Sequence, residues 1–284
     1  HRDLHSFPTR RSSDLARGLA ATGAVRQCVV TGRDSELARR LQADGLDVEL
    51  APWRAGLDPR VIPVAMRAVT PGTILHAHDS HSATLASVVA RMRQVTLVGT
   101  RRVTFRLRAN GPWHRADRLV AVSRAVADRM EKDGIPADRV TVVPSAVDLD
   151  ALDASVSSGI RAQLGIAGDA PLVAMVGALT KEKGHDVLLQ AATLLAKDLP
   201  ALHWVLVGDG PLRKDLEKDA TRRGLMDRVH FVGHVDEPAS ILRDVTLAVL
   251  PSREEGFGST ILEALALRVP VVGTDVGGIP ETLA

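Results

Sequence analysis

The sequence predicts an α/β protein made of two doubly wound parallel sheets, and three observations carry that prediction. Apolar runs of about four to seven residues alternate with amphipathic stretches of about twelve, the pattern of βα units. The alternation comes in two blocks, separated by a stretch over 151–168 where small residues cluster. A length of 284 residues also suits two domains of modest size better than one.

Each element follows from local pattern. Residues 16–22 read as the end of a helix stopped by Gly23. Residues 25–31 read as a strand and 34–44 as an amphipathic helix ended by Gly45. Strands at 46–50, 73–77, 95–100, 118–122 and 140–143 alternate with helices at 60–69, 82–92 and 123–133, the last with Ser123 as N-cap. The second block repeats the pattern: strands at 171–177, 203–208, 229–232, 247–250 and 269–273, helices at 184–197, 211–224 and after Gly258. The expected division is therefore 16–150, a linker 151–168, and 169–284.

Composition excludes several classes. There are 36 basic and 34 acidic residues, so net charge gives no case for nucleic acid. One cysteine allows no disulfide framework and no cysteine-based metal site. Cys28 lies in an apolar run and is read as a buried strand residue. No apolar run approaches the ~18 residues of a membrane span, and the expected location is cytoplasmic. Residues 1–15 lack either periodicity, and Phe7 to Leu15 looks like a translated sequencing adapter. The expected native part is thus 16–284, cut at both ends, with this piece itself inactive.

In doubly wound folds ligands bind at the carboxyl ends of strands, so the loops after strands carry the candidates. Gly177 ends one strand, and Lys181 and Lys183 follow in the loop before a helix, suited to a phosphate. Gly208-Asp-Gly-Pro211 reads as turn architecture. In Glu255-Gly-Phe-Gly-Ser-Thr-Ile-Leu-Glu263 the glycines leave backbone N–H groups free to face an anion at a helix N-terminus. Its two carboxylates are offset by roughly 8–12 Å along the helix axis, suited to two ends of one extended polar ligand rather than to a single metal. Gly277-Gly-Ile-Pro-Glu281 enters a further helix, with Glu281 either touching the ligand or capping. In His76-Ala-His-Asp-Ser-His81, period two puts His76 and His78 on one side of the chain. Three histidines and an aspartate suit zinc, but nothing else in this half offers a further ligand cluster, so the expectation is a single loop histidine facing the cleft. Arg101-Arg102 follows the next strand, facing an anion or a carboxylate.

Taken in order, these pieces resemble the family-four retaining glycosyltransferases (glycosyl transferases group 1) of the GT-B fold. The match rests on Glu255-x7-Glu263 with Gly-Phe-Gly, His76 to His78, Ala116 to Ser123, Val143-Pro-Ser-Ala-Val-Asp148, Val176-Gly-Ala-Leu with Lys183-Gly184, Gly208 to Pro211, Val229 to Gly233 and Gly277 to Glu281. The resemblance implies two Rossmann-like domains facing a cleft. It assigns Glu255 to hydroxyls of the donor sugar, Glu263 to the ribose, and the Gly256, Phe257 and Gly258 backbone to sugar and pyrophosphate. Lys183 would neutralise the leaving diphosphate, with Gly177 beside it. Val232 and Gly233 would meet the base, His78 the sugar, and Glu281 the same ligand. It implies a nucleotide-diphosphate sugar as donor substrate, no metal and no cofactor. The acceptor would be a sugar or lipid-linked hydroxyl in envelope polysaccharide or glycolipid assembly, with peripheral contact at the inner membrane face.

The sequence departs from the family at Ala178, where an arginine is common, at Ser145-Ala146, where Asn-Gly is common, and in lacking the first strand with its glycine-rich loop, which leaves an unpaired place in the first sheet. Two rival readings are a sugar-nucleotide epimerase of similar architecture and a nucleotide-sugar-binding protein without catalysis.

Overall fold

A computed structural model of the chain describes residues 6–53 and 56–284, with side chains from residue 12 onward. The chain divides into two compact units. The first comprises His1–Arg102, Arg106–Val122 and Ala127–Val143; the second comprises Val103–Phe105, Ser123–Val126 and Pro144–Ala284.

The first unit runs α1 (Ser6–Thr22), β1 (Val29–Gly32), α2 (Glu36–Ala43), β2 (Val48–Ala51), α3 (Val61–Ala68), β3 (Ile74–Ala77), α4 (Ser80–Arg93), β4 (Thr96–Arg101), β5 (Arg118–Ala121), α5 (Arg124–Lys132), whose start up to Val126 groups with the second unit, and β6 (Val140–Val142). All pairings are parallel. They form two separate sheets, β1-β2 and β3-β4-β5-β6. A cavity of 1380 Å³ is lined by residues of β1 and β3, by Leu15, Ala16 and Leu19 of α1, and by Leu85 and Val89 of α4.

Local chemistry explains the helix starts. The Asp79 carboxylate accepts from the Ser82 amide while the Ser82 hydroxyl serves the Asp79 end, a reciprocal capping box before α4. The Ser35 hydroxyl accepts from the Ala38 amide at the start of α2.

Two expectations fail in this unit. Helix α1 extends through residues 6–15, which were read as lacking helical periodicity; residues 1–5 lie outside the described residues. Ser13 and Ala16, one turn apart, are both buried, so two small residues supply a packing stripe that a search for large apolar residues passes over. Cys28 is exposed and precedes β1 rather than lying inside it, because the strand begins only at Val29.

The second unit runs α6 (Leu149–Ala154), α7 (Ile160–Gln163), β7 (Leu172–Val176), α8 (His185–Leu195), β8 (His203–Val207), α9 (Arg213–Arg222), β9 (Val229–Gly233), α10 (Pro238–Leu242), β10 (Leu247–Leu250), α11 (Ser259–Ala266), β11 (Val271–Gly273) and α12 (Ile279–Leu283). Its five strands are parallel in the order β11-β10-β7-β8-β9. Period-two alternation sorts β7 between two cores: Leu172, Ala174 and Val176 join one, Val173 and Met175 the other.

The stretch expected as a linker, 151–168, packs as part of this unit. Ile160 and Ile166 enter its core, and the Asp244 carboxylate accepts from the Ser157 and Ser158 hydroxyls and the Ile160 amide. Small residues, read as linker composition, here serve as hydrogen-bonding anchors. The chain passes into the second unit at Val143/Pro144 instead.

Candidate functional site

Strand order locates a site before any side chain is considered. From β7 the chain moves outward through β8 and β9, then returns to the other side of β7 with β10. The order reverses between β7 and β10, and the crevice beyond such a reversal is where doubly wound sheets bind ligands. The loops leaving these two strands contain Gly177 to Gly184 and Pro251 to Gly258.

These loops are locked together by backbone. A Cβ on Gly184, which has φ +74°, would lie 2.0 Å from the Pro251 carbonyl oxygen. The Arg253 amide donates to the Glu182 carbonyl at 2.7 Å, and its guanidinium grips Asp186 with two bonds of 2.7 and 2.6 Å. Arg253 holds the Asp186 carboxyl below the usual range, chiefly through those hydrogen bonds.

Within that frame Lys183 Nζ meets Glu255 Oε2 at 2.5 Å, with side chains only 23% and 13% exposed. The aliphatic stem of Lys183 passes over Gly177, 3.7 Å from where a Cβ would stand, an ordinary packing distance. Two groups assigned by the resemblance to the diphosphate and to the sugar thus face each other in the free protein.

Beyond Glu255 the chain turns through Gly256, Phe257 and Gly258, all buried, into α11. Gly258 has φ +80° and no side-chain cap serves the helix. Among the described residues no acceptor is found for the N–H groups of Gly256, Phe257 or Gly258. Buried amides at a helix N-terminus make an anion site, because N–H dipoles and helix dipole point the same way. Leu250, Ile261 and Ile279 form the apolar cluster that fixes α11 and α12 behind the loop. Glu263, the fifth residue of α11, is half-buried.

The neighbouring loops are equally tight. A Cβ on Gly208 would stand 2.0 Å from the Gly177 oxygen, and the Gly208 amide donates to the Gly233 carbonyl at 2.7 Å. The Gly208-Asp-Gly-Pro211 turn, read as architecture, buttresses the β7 loop: a Cβ on Gly210 would meet Leu179 backbone at 2.6 Å. Val232 and Gly233 end β9, and the Arg213 guanidinium braces them by donating to the Phe231 carbonyl at 2.9 Å. Arg213 is not a candidate from sequence, because a position 18 residues before Phe231, on the preceding helix, carries no signal.

Glu281, expected to touch the ligand or to cap the helix it enters, leaves that helix without a side-chain cap and caps another one. Its carboxylate accepts from the Arg124 amide at 2.7 Å and the Ala125 amide at 2.9 Å, the first two N–H groups of α5. The helix it caps is distant in sequence, which is why spacing alone left the choice open.

His78 belongs to the first unit. Its Nδ1 lies 3.3 Å from Arg102 Nη2, and since arginine only donates, Nδ1 accepts and the ring proton sits on Nε2. Burial, then His76, then Arg102 push its pKa down to about 3, so the ring is neutral at physiological pH. The His76 ring stacks 4.3 Å from it, as period two predicts, and bonds the Thr100 hydroxyl at 2.7 Å. Arg101 is buried over the Trp113 ring. Among the described residues no group of three His, Cys, Asp or Glu side chains is arranged to hold a metal.

Known proteins can now be set beside this geometry. The model described as Glycosyltransferase Family 4 matches residues 9–151, and that described as Glycosyl transferases group 1 matches 157–284. The chain is 36% identical over 170 residues to an alpha-D-kanosaminyltransferase of Streptomyces kanamyceticus, covering 58% of this chain and 44% of that protein. It is 29% identical over 271 residues to a 2-deoxystreptamine glucosyltransferase of the same organism, covering 92% of this chain and 65% of the relative. The chain therefore spans less than two thirds of either. Among solved structures, Anabaena HepE in complex with UDP and glucose superposes with a TM-score of 0.82 at 21% identity, over 96% of this chain and 78% of that one. That likeness establishes the GT-B class of α/β fold. Since the Family 4 model alone accounts for half of the residues, and the group 1 model for the unit that holds the anion-facing loop, the chain belongs to glycosyltransferase family 4.

Proposed function

We propose that this chain carries the donor-binding machinery of a retaining glycosyltransferase, which moves a sugar from a nucleotide-diphosphate sugar to an acceptor hydroxyl. One observation carries the reading: three buried amides without protein acceptors, at a helix N-terminus and next to the Lys183–Glu255 pair, at the point where the strand order reverses.

The diphosphate lies against the amides of Gly256, Phe257 and Gly258. Lys183 leaves Glu255 to neutralise it, and Gly177 keeps the approach open. Glu255, released from the lysine, accepts from sugar hydroxyls, and Glu263 holds the ribose. Val232 and Gly233 meet the base. As the glycosidic bond to the donor breaks, the electron pair passes to the diphosphate oxygen. Fixed dipoles and one ammonium stabilise that charge without reorganising. The leaving phosphate takes the acceptor proton as the hydroxyl attacks the same face, which retains configuration. No resident cofactor enters this scheme.

The acceptor half of the reading rests on the family alone: a sugar or lipid-linked hydroxyl in envelope polysaccharide or glycolipid assembly, in a bacterial cytoplasm. Peripheral attachment at the inner membrane face belongs to the same reading; no helix among the described residues is long and apolar enough to cross a membrane. Co-sedimentation with anionic vesicles tests that part.

Calorimetric titration of the chain with UDP-, GDP- and ADP-sugars tests the donor site. One nucleotide sugar is expected to bind. Glu255→Gln should weaken it about tenfold while leaving the matching nucleoside diphosphate within about twofold, whereas Glu263→Gln should weaken both alike. Equal behaviour of the two variants would sink the division of roles.

A further inference from the structure

The carbonyl groups of the anion-facing loop are held as firmly as its amides are left open. The Ser123 hydroxyl donates to the Gly256 carbonyl at 2.6 Å, and the Gly278 amide donates to the Glu255 carbonyl at 3.1 Å. A trans peptide unit points its C=O and the following N–H in opposite directions. Pinning the Glu255 and Gly256 carbonyls therefore aims the Gly256 and Phe257 N–H groups the other way.

We propose that Ser123 is a positioning residue for the diphosphate, acting through the Gly256 carbonyl to fix the direction of the Phe257 amide. The inference rests on the reading of the donor site given above. Ser123 is fully buried, and Ser123–Val126 falls within the second unit. Its hydroxyl is used twice, accepting from the Val126 amide at 3.1 Å and donating to Gly256. Acceptance alone makes an N-cap for α5; donation to Gly256 is not needed for capping.

The neighbours hold the serine in place. Glu281 takes the next two amides of α5, so the start of that helix cannot drift. A Cβ on Gly278 would lie 3.0 Å from the Ser123 Cβ and 2.4 Å from the Gly256 oxygen, leaving no room for the peptide to rotate toward that side. Gly277 is pressed likewise, 1.9 Å from the Glu255 oxygen to its would-be Cβ at φ +54°. The Gly277-Gly278 pair thus closes the back of the loop, and Ser123 supplies the proton that orients it.

The test uses whichever of UDP, GDP and ADP binds the unsubstituted chain best, together with its nucleoside, and follows the Phe257 amide by NMR. Ser123→Ala should weaken the diphosphate about tenfold, shift the Phe257 resonance in the free protein, and leave nucleoside affinity within about twofold. Ser123→Cys, which keeps size and a weak donor, should fall between. If Ser123→Ala does not fold, the cysteine variant must still lose diphosphate affinity selectively. Equal loss for both ligands, with a lowered melting temperature, would mean that Ser123 only caps α5. No loss for either would equally overturn the proposal. If the unsubstituted chain does not prefer the diphosphate over the nucleoside, the donor-site reading itself fails and takes this one with it.

Discussion

In the second unit the loops after β7, β8 and β10 touch backbone to backbone, whereas in the first unit the loop after β3 is held by side chains. Gly184 against Pro251, Gly208 against Gly177 and Gly277 against Glu255 all place a would-be Cβ within 2.0 Å of a carbonyl oxygen. The His78 loop depends instead on Ser82, Thr100, Arg102 and a Trp113–Ser80 hydrogen bond. A backbone contact of that kind tolerates no side chain at all, so it fixes the loops rigidly. A side-chain clasp can re-form in a second geometry. The first arrangement suits a preorganised anion site, because dipoles that need not move stabilise charge most effectively.

The sharpest way to break this comparison is to add one methyl group in each unit. Gly184→Ala should lose about 3 kcal/mol or more and abolish diphosphate binding, since the left-handed backbone and the Pro251 oxygen both resist it. Gly72→Ala in the first unit has a similar φ of +84° but nothing within 4 Å, and should cost only about 1 kcal/mol. Urea denaturation of both variants measures the difference. Similar losses would mean that backbone conformation, not the interlock, sets the cost.

A smaller effect comes from His185, the first residue of α8, which is 1% exposed. Burial, then Lys183, lowers its pKa from the ordinary 6.5 to about 4. In the unfolded chain it takes up a proton as pH falls through 6.5; in the folded chain it does so only near 4. The unfolded state binds more protons across that window, so stability falls with falling pH by up to about 1.4 kcal/mol per unit. His185→Leu should flatten the fall between pH 6.5 and 4. An unchanged slope would assign the acid sensitivity to other groups.

Much of this was legible in sequence, for identifiable reasons. Strands β7 to β9 follow from apolar runs ending at glycine, β10 from one ending at Pro251, and the turn into α11 from Gly256 and Gly258 ahead of an apolar helix. The backbone interlock was not legible, because it joins glycines to carbonyls far along the chain, Gly184 to Pro251 and Gly208 to Gly177. What escaped depends on partners remote along the chain. Glu281 caps a helix 156 residues earlier, and Ser123 reaches 133 residues forward to Gly256. The helix over 6–15 escaped because its packing stripe is Ser13 and Ala16, and the stretch 151–168 because its serines bond Asp244 rather than water. Neither type of contact leaves a periodic trace.

The account turns on the amides of Gly256, Phe257 and Gly258 meeting a diphosphate. Amide NMR titration with the best-binding nucleoside diphosphate, and separately with its nucleoside, measures that directly. The three resonances are expected to shift with the diphosphate and to stay unmoved with the nucleoside, while Val232 and Gly233 shift with both. Diphosphate binding that leaves all three amides unmoved would contradict the central claim.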